Sequence, residues 1–169
     1  IIISPSNEQF IFKDDKYLIG KSDLNNDEFD ILLFVRRDIK EIFIPSNIRI
    51  IGSCSFSELK IKEISIPSNV TKICEFAFSN CSNLKKVEIP TNSNLQTIER
   101  YAFSELNIEE ILIPSNVTKI CECAFYKCSN LRKVEIPTNS NLQTIERYAF
   151  SELNIEEILI PSNVTKICE

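Results

Sequence analysis

The sequence contains no histidine, no tryptophan and no methionine, and it has only two glycines in 169 residues. Without histidine, the commonest general base and metal-binding side chain at neutral pH is missing. Two glycines also cannot form the glycine-rich loop that binds a phosphate group. We therefore predict that the chain is not an enzyme and that it holds no metal and no cofactor.

Long apolar runs and an excess of positive charge are missing as well. No apolar run approaches the roughly 18 residues of a membrane-spanning helix, and the opening IIISPSN is too short for the core of a signal peptide. The formal net charge is −5, and the nineteen Lys and Arg residues are spread along the chain. We expect no membrane insertion within this segment and no nucleic-acid partner.

What the sequence has instead is an internal repeat. Residues 67–113 return as 114–160 with only four changes. The sequence begins at Ile1 and ends at Glu169 within a repeat, so we expect it to be part of a longer protein. Inside the long unit lies a shorter period, marked at intervals of 22, 23, 24, 23 and 24 residues by Pro45, Pro67, Pro90, Pro114, Pro137 and Pro161.

Each of these prolines closes a short strand pattern. Two apolar residues separated by one residue precede every proline, as Ile42 and Ile44 precede Pro45. This alternation of mostly β-branched residues is typical of a strand. Proline has no N–H for a sheet ladder, so it is expected where the chain leaves the strand. A further apolar residue three positions before each pair completes L-x-x-L-x-L, which is the leucine-rich-repeat pattern.

One turn of this repeat cannot bury its own apolar face, so successive turns must stack. We predict a leucine-rich-repeat solenoid, mostly β, with one parallel strand per turn, right-handed crossovers, and short irregular or 3-10 return segments. Residues 39–169 would form six strand–proline units, the last of them truncated. In four turns the return segment contains Ala-Phe, and the core should be filled by Phe78, Phe103, Phe125 and Phe150.

Seven cysteines allow two interpretations. Cys121, Cys123 and Cys128 have the spacing C-x-C-x4-C, which a metal site could use. However, Cys74, Cys121 and Cys168 recur every second turn, so neighbours in this column would lie about 10 Å apart. A disulfide requires Cα atoms within roughly 7 Å. We expect reduced, packed thiols.

The unit IPSNVTKICEFAFSNCSNLKKVEIP at 66–90 resembles the BspA-type leucine-rich repeat. FIFKDDKYLIG at 10–20 and FDILLFV at 29–35 resemble the hairpin insertion that members of this family often carry. Residues 1–38 are therefore interpreted as a partial repeat with a β-hairpin insertion. The resemblance implies a surface or secreted, adhesin-like protein of bacteria or parasitic protists that binds host matrix proteins, host cells or other microbes.

The predicted binding site is the concave face of the strands, where the side chains between the buried ones point to solvent. Phe43, Leu112 and Leu159 are apolar where polar residues are expected, so they could anchor a partner. The charges alternate between neighbouring turns, as Lys86 beside Glu63 shows, and such pairs could simply stabilise the stacking. Both interpretations stay open. This strand face comprises Phe43, Glu63, Lys86, Glu88, Glu110, Leu112, Lys133, Glu135, Glu157 and Leu159.

These observations favour a module for cell-surface adhesion or protein–protein interaction. Its partner would be a host surface or matrix protein, or another microbial surface protein, and its expected location is the cell surface or the extracellular space. Unpaired cysteines are uncommon in exported proteins, which favours an intracellular, cytoplasmic scaffold as an alternative. Neither end shows a polar capping turn, which favours end-to-end self-association into a structural assembly as another. Tyr101, Tyr126 and Tyr148 should pack between turns, with a second contact surface as their alternative role.

Overall fold

The computed structural model describes residues 1–25, 27–155 and 157–168. Over these residues the chain forms a β-solenoid of about six turns, built from strands and irregular turns without a helix. The strands, in chain order, are β1 (Phe10–Lys13), β2 (Tyr17–Gly20), β3 (Ile31–Val35), β4 (Ile50–Ile51), β5 (Glu63–Ser65), β6 (Lys72–Ile73), β7 (Lys86–Glu88), β8 (Thr97–Ile98), β9 (Glu110–Leu112), β10 (Lys119–Ile120), β11 (Lys133–Glu135), β12 (Thr144–Ile145) and β13 (Lys166–Ile167).

The described ranges contain no helix that is long and apolar enough to cross a membrane.

The solenoid predicted from the repeat is confirmed. Its turns stack because a single turn cannot bury its own apolar face.

The longest sheet has nine strands in the order β1-β2-β3-β4-β6-β8-β10-β12-β13. From β3 onward its strands are parallel, and each turn contributes a strand of only two residues. These short strands contain the inward isoleucine that follows each proline, and Ile51, Ile73, Ile98 and Ile120 have no exposed surface. The predicted single strand per turn is therefore wrong, because inner turns contribute a second strand at this isoleucine.

The strands predicted before the prolines occur in the four inner turns as β5, β7, β9 and β11. Among the described residues they do not form one continuous sheet, because β5 pairs with β7 and β9 pairs with β11. The corresponding segments 41–44 and 157–160 are not strands, so the prediction of six such strands is wrong at both outer turns.

Turn length accounts for the interrupted ladder. Pro67 lies eleven residues after Phe56, whereas Pro90 lies twelve residues after Phe78, and the next two turns repeat this alternation. Successive turns are therefore not related by one constant step. The ladder forms between an eleven-residue turn and the following twelve-residue turn, and it is interrupted at the reverse step between β7 and β9.

The core contains a continuous stack of phenylalanines. Phe56, Phe78, Phe103 and Phe125 have no exposed surface, and their ring centroids are separated by 4.6, 5.3 and 5.4 Å. Phe150 extends the stack by a further 5.4 Å. The Phe column predicted from the Ala-Phe pairs thus fills the core, and it includes one additional member in the first turn.

Each return segment bends at two non-glycine residues with positive φ. The first immediately precedes the Ala-Phe position, as at Phe76 and Tyr101, with φ of 56° and 54°. The second follows the phenylalanine by two residues, as at Asn80 and Glu105, with φ of 60° and 57°. Left-handed backbone costs an L-residue roughly 1–2 kcal/mol, so the stacking of the turns must stabilise these corners.

Asparagine side chains connect neighbouring turns next to the prolines. Asn69 donates its Nδ2–H to the Ser46 carbonyl at 2.9 Å, and Asn116 donates to the Ser93 carbonyl at 2.8 Å. Asn163 makes the equivalent bond at 2.8 Å in the last turn. The recurring SN after the proline therefore bonds each of these turns to the one before it.

Residues 1–38 extend the solenoid rather than standing apart from it. β1 pairs with β2 and β2 with β3 in antiparallel fashion, and β3 continues in parallel to β4. Ile19, Leu32 and Val35 of the hairpin have no exposed surface. The hairpin thus covers the first turn, and the expectation that this end lacks a cap is wrong.

The isoleucines of the last turn are less buried than those of the inner turns. Ile160 and Ile167 are 38% and 61% exposed, whereas Ile113 and Ile120, the same positions one 47-residue unit earlier, are fully buried under the next turn. The comparison shows that burial of these isoleucines depends on a neighbouring turn.

Candidate partner-binding face

The predicted strand face lies on the surface of the solenoid. Its ten side chains are exposed, except that Leu112 is half-buried. The residues between them, such as Ile64, Val87 and Ile111, are buried, as the period-two pattern requires. Two of the apolar members are strongly exposed, Phe43 at 83% and Leu159 at 64%. The structure thus presents the strand face to solvent, while its role in binding stays a prediction.

Charges on the strand face pair along strands rather than between turns. The register places Glu63 opposite Lys86, as expected. However, the Lys86 Nζ contacts a carboxylate oxygen of Glu88 on its own strand at 2.5 Å, and Lys133 pairs in the same way with Glu135. Lys86 therefore makes its close ion pair along its own strand, while Glu63 and Glu110 of the neighbouring turns attract it from farther away.

These pairs change the proton affinities of their members. The hydrogen bond from Lys86 lowers the pKa of the Glu88 carboxyl, and a second bond, donated by the Ser65 hydroxyl at 2.7 Å, acts in the same direction. The hydrogen bond to Glu88 also raises the pKa of Lys86, more than the attraction of Glu63 and Glu110 does. Glu88 therefore stays ionised, and its charge is paired with that of Lys86.

A groove of about 920 Å³ lies at the hairpin end of the strand face. We call it the N-terminal groove. It brings together three predicted site residues, Phe43, Glu63 and Glu88, while the other seven lie outside it. The complete lining consists of Lys40, Glu41, Ile42, Phe43, Ile44, Lys60, Lys62, Glu63, Ile64, Ser65, Ile66, Pro67, Asn83 and Glu88.

Three lysines on the rim of this groove, Lys40, Lys60 and Lys62, were not predicted as site residues. Among the described residues no hydrogen bond or ion pair engages their amines, unlike that of Lys86. A sequence signal was present, since Lys40 and Lys62 occupy the same position in successive turns, directly before Glu41 and Glu63. That the three lysines line one groove is apparent only from the structure.

Tyr17 of the hairpin holds the Phe43 segment in place. Its hydroxyl donates to the Phe43 carbonyl at 2.7 Å, and its side chain is buried. Burial raises the pKa of Tyr17, and the hydrogen bond to the carbonyl offsets this effect only in part. The Phe43 ring is thus presented to solvent from a backbone that is anchored to the core.

The tyrosines of the return segments pack mainly between turns. Tyr101 stacks on Phe76 with ring centroids 4.9 Å apart, and it meets Tyr126 edge-on at 6.4 Å. The Tyr126 hydroxyl donates to Glu152 at 2.8 Å. Tyr148 is more exposed, with an arginine above its ring. The packing interpretation fits Tyr101 and Tyr126.

All seven cysteines are free thiols. Cys81 and Cys128 are buried and donate to the carbonyls of Phe56 and Phe103 at 3.0 Å. Burial raises their pKa to about 11 and about 12. Cys54 departs from the expected packing because it is exposed. The described residues contain no group of three or more His, Cys, Asp or Glu that could hold a metal ion.

The fold and the site define a class. Stacked turns of 22 to 24 residues, each with L-x-x-L-x-L closed by proline and an outward row of polar and apolar side chains, are those of a leucine-rich-repeat protein-interaction module. The family is more specific. Six copies of the BspA type leucine-rich repeat region match residues 28–94 and 55–169, and the chain belongs to this family. Comparison with curated proteins gives no match.

Solved structures of similar fold are leucine-rich-repeat or surface proteins. The pneumococcal vaccine antigen PcpA is 23% identical with a TM-score of 0.78, over 96% of this chain and 46% of its own. A leucine-rich cell surface protein from Faecalibacterium prausnitzii is 25% identical with a TM-score of 0.60, over 98% and 50%. A leucine-rich repeat protein from Eubacterium ventriosum is 22% identical with a TM-score of 0.69, over 98% and 50%. The chain spans about half the length of these proteins.

Proposed function

We propose that this chain is the adhesion module of a surface or secreted protein and that it binds a macromolecular partner through the strand face. The partner would be a host surface or matrix protein, or a surface protein of another microbe. The surface and antigen descriptions of two proteins with this fold support the proposed location. Catalysis has no part in the proposal.

The observation that carries the proposal is the exposure of Phe43. A fully buried aromatic side chain removes about 150–250 Å² from water, and Phe43 is 83% exposed. Burial of a Phe side chain contributes about 1.5–3 kcal/mol, so covering Phe43 would supply a large share of the binding energy of an interface hot spot. Leu159 occupies the same position in the last turn and is 64% exposed without a turn stacked on it, whereas the equivalent Leu112 is half-buried.

Flow cytometry of fluorescently labelled protein on intact host cells tests the proposal. We expect saturable binding by the wild type and its loss in the Phe43→Glu/Leu159→Glu double variant. Leu24→Glu is the matched control, because Leu24 is also exposed, at 69%, but lies on the hairpin side outside the strand face. Circular dichroism would verify that each variant is folded. Equal binding by the double variant and the wild type would refute the strand face as the site.

A second candidate function is an intracellular scaffold, which the free, exposed thiol of Cys54 favours. Antibody labelling of the native protein on intact and permeabilised cells separates the two functions. Labelling only after permeabilisation would support the scaffold, whereas labelling of intact cells would support adhesion.

End-to-end self-association is the remaining structural alternative. It requires an uncovered turn at both ends, and the hairpin covers the first turn. Head-to-tail filaments would thus lack one of their two surfaces. Sedimentation at increasing protein concentration tests this alternative, and a monomer throughout would exclude it.

A further inference from the structure

The edge of β5 that faces the N-terminal groove has no strand beside it. In a parallel ladder, alternate residues direct their N–H and C=O groups to opposite sides. The N–H of Ile66 donates to the Glu88 carbonyl at 2.8 Å, and the Lys62 carbonyl accepts from Lys85 at 2.8 Å, so these positions face β7. Glu63 and Ser65 consequently direct their backbone groups towards segment 41–44. Within the described residues, no backbone hydrogen bond joins that segment to β5.

Segment 41–44 forms the other wall of the groove, and the hairpin anchors it. The Phe43 carbonyl accepts the Tyr17 hydroxyl at 2.7 Å, which ties segment 41–44 to β2 on the side away from β5. Buried backbone groups are nearly always paired, and an edge strand with free N–H and C=O groups is a template for another strand. The free edge of β5 therefore offers hydrogen bonds to an incoming chain.

The groove adds side-chain contacts to this edge. Its lining includes Ile42, Ile44, Ile64 and Ile66, but these side chains are almost fully buried in the core. The exposed ring of Phe43 therefore supplies most of the apolar surface that the groove offers. Side chains of an extended peptide alternate between its two faces. Apolar residues on one face of such a peptide could therefore contact the Phe43 ring.

The charges at the groove favour an acidic peptide. The amines of Lys40, Lys60 and Lys62 have no partner among the described residues, whereas Glu88 is bonded to Lys86 and Ser65. Three free lysines thus face only two free carboxylates in the lining, those of Glu41 and Glu63. An acidic residue would find unpaired amines, and a basic residue would meet their repulsion.

We propose that the N-terminal groove binds an extended, acidic segment of a partner protein, which adds a strand to the free edge of β5. Apolar residues of the segment lie on Phe43, and its acidic residues pair with Lys40, Lys60 and Lys62. This inference rests on the proposed function, since it names the chemistry of the partner that the strand face binds.

Fluorescence anisotropy with two labelled, end-capped heptapeptides tests the inference. In one peptide aspartate alternates with isoleucine, and in the other lysine replaces aspartate. We expect saturable binding of the acidic peptide, at least tenfold tighter than that of the lysine peptide and weaker with added salt. No saturable binding of the acidic peptide, or equal binding of both peptides, would overturn the proposal.

Two further comparisons test the mode of binding. Methyl groups on alternate backbone nitrogens remove the N–H groups on one edge of the peptide, so at least one of the two methylated series should bind at least tenfold more weakly. Unchanged binding by both series would rule out strand addition. Phe43→Ser and Lys62→Glu should each weaken binding about tenfold. Leu24→Ser, at an exposed leucine outside the strand face, and Arg132→Glu, at the position of Lys62 in a later turn, should leave it unchanged.

The outcome also separates this inference from the proposed function. If labelled protein binds cells through Phe43 and Leu159 but the acidic peptide does not bind, the strand face is the site and strand addition is wrong. If neither cells nor peptide are bound, both proposals fail.

Discussion

Replacement of Phe125 by alanine tests how the solenoid is held together. The ring has no exposed surface, and its centroid lies 5.4 Å from those of both Phe103 and Phe150. Phe125→Ala removes these contacts and leaves a cavity between turns, which should cost about 3–5 kcal/mol. Domains are commonly stable by only about 5–15 kcal/mol, so this is a large share of the total.

Urea unfolding followed by circular dichroism measures the loss. With an m-value of about 2 kcal/mol per M, the midpoint of Phe125→Ala should fall by about 1.5–2.5 M. The matched control is Phe43→Ala, the same change at a ring that is 83% exposed, and it should alter the free energy of unfolding by no more than about 0.5 kcal/mol. Equal midpoints for the two variants would refute the role of the Phe stack.

Three further outcomes are expected. Asn116→Ala, which removes the hydrogen bond to the Ser93 carbonyl, should destabilise the protein by about 0.5–1.5 kcal/mol in the same urea assay, and no change would contradict an inter-turn role. Tyr17→Phe leaves a strand-face carbonyl without its hydroxyl donor and should cost about 1 kcal/mol; a stability equal to the wild type would show that this bond is unimportant. At pH 8 a disulfide reagent should modify the exposed Cys54 in the native protein but Cys128 only after unfolding. Burial raises the pKa of Cys128 to about 12, so this thiol stays protonated and unreactive. Equal rates of modification of the two cysteines by mass spectrometry would refute this.

The strands before the prolines could be predicted because their pattern is carried by neighbouring residues. Ile64 and Ile66 are buried and Ser65 is exposed, as the period of two requires. The same pattern predicted which side chains form the strand face. The Phe column was predictable for the same kind of reason, since Ala-Phe recurs at a fixed distance from each proline.

The second strand of each turn could not be predicted in this way. It is two residues long, as at Lys72–Ile73, and so short a segment shows no periodicity. The left-handed corners could not be predicted either. Glycine is the usual sign of a positive φ, and these positions hold other residues, such as Phe76 and Asn80. Both features depend on hydrogen bonds to neighbouring turns, which local sequence does not encode.

The N-terminal groove was missed because it arises where a ladder is absent. Sequence favours an uninterrupted sheet through Ile42 and Ile64, whereas the structure pairs β5 only with β7 and ties the Phe43 carbonyl to Tyr17. The ion pair between Lys86 and Glu88 was missed for a related reason, since the choice between two nearby carboxylates depends on side-chain conformation.

Photo-crosslinking from position 43 tests the central claim most directly, namely that the strand face binds the partner. A benzophenone amino acid would replace Phe43 in one protein and Leu24, which is also exposed, in another. Each would be bound to intact host cells, illuminated and recovered for electrophoresis and mass spectrometry. We expect a discrete adduct with one host protein from position 43 and none from position 24. Equal adducts from both positions, or an adduct from position 24 alone, would contradict the account.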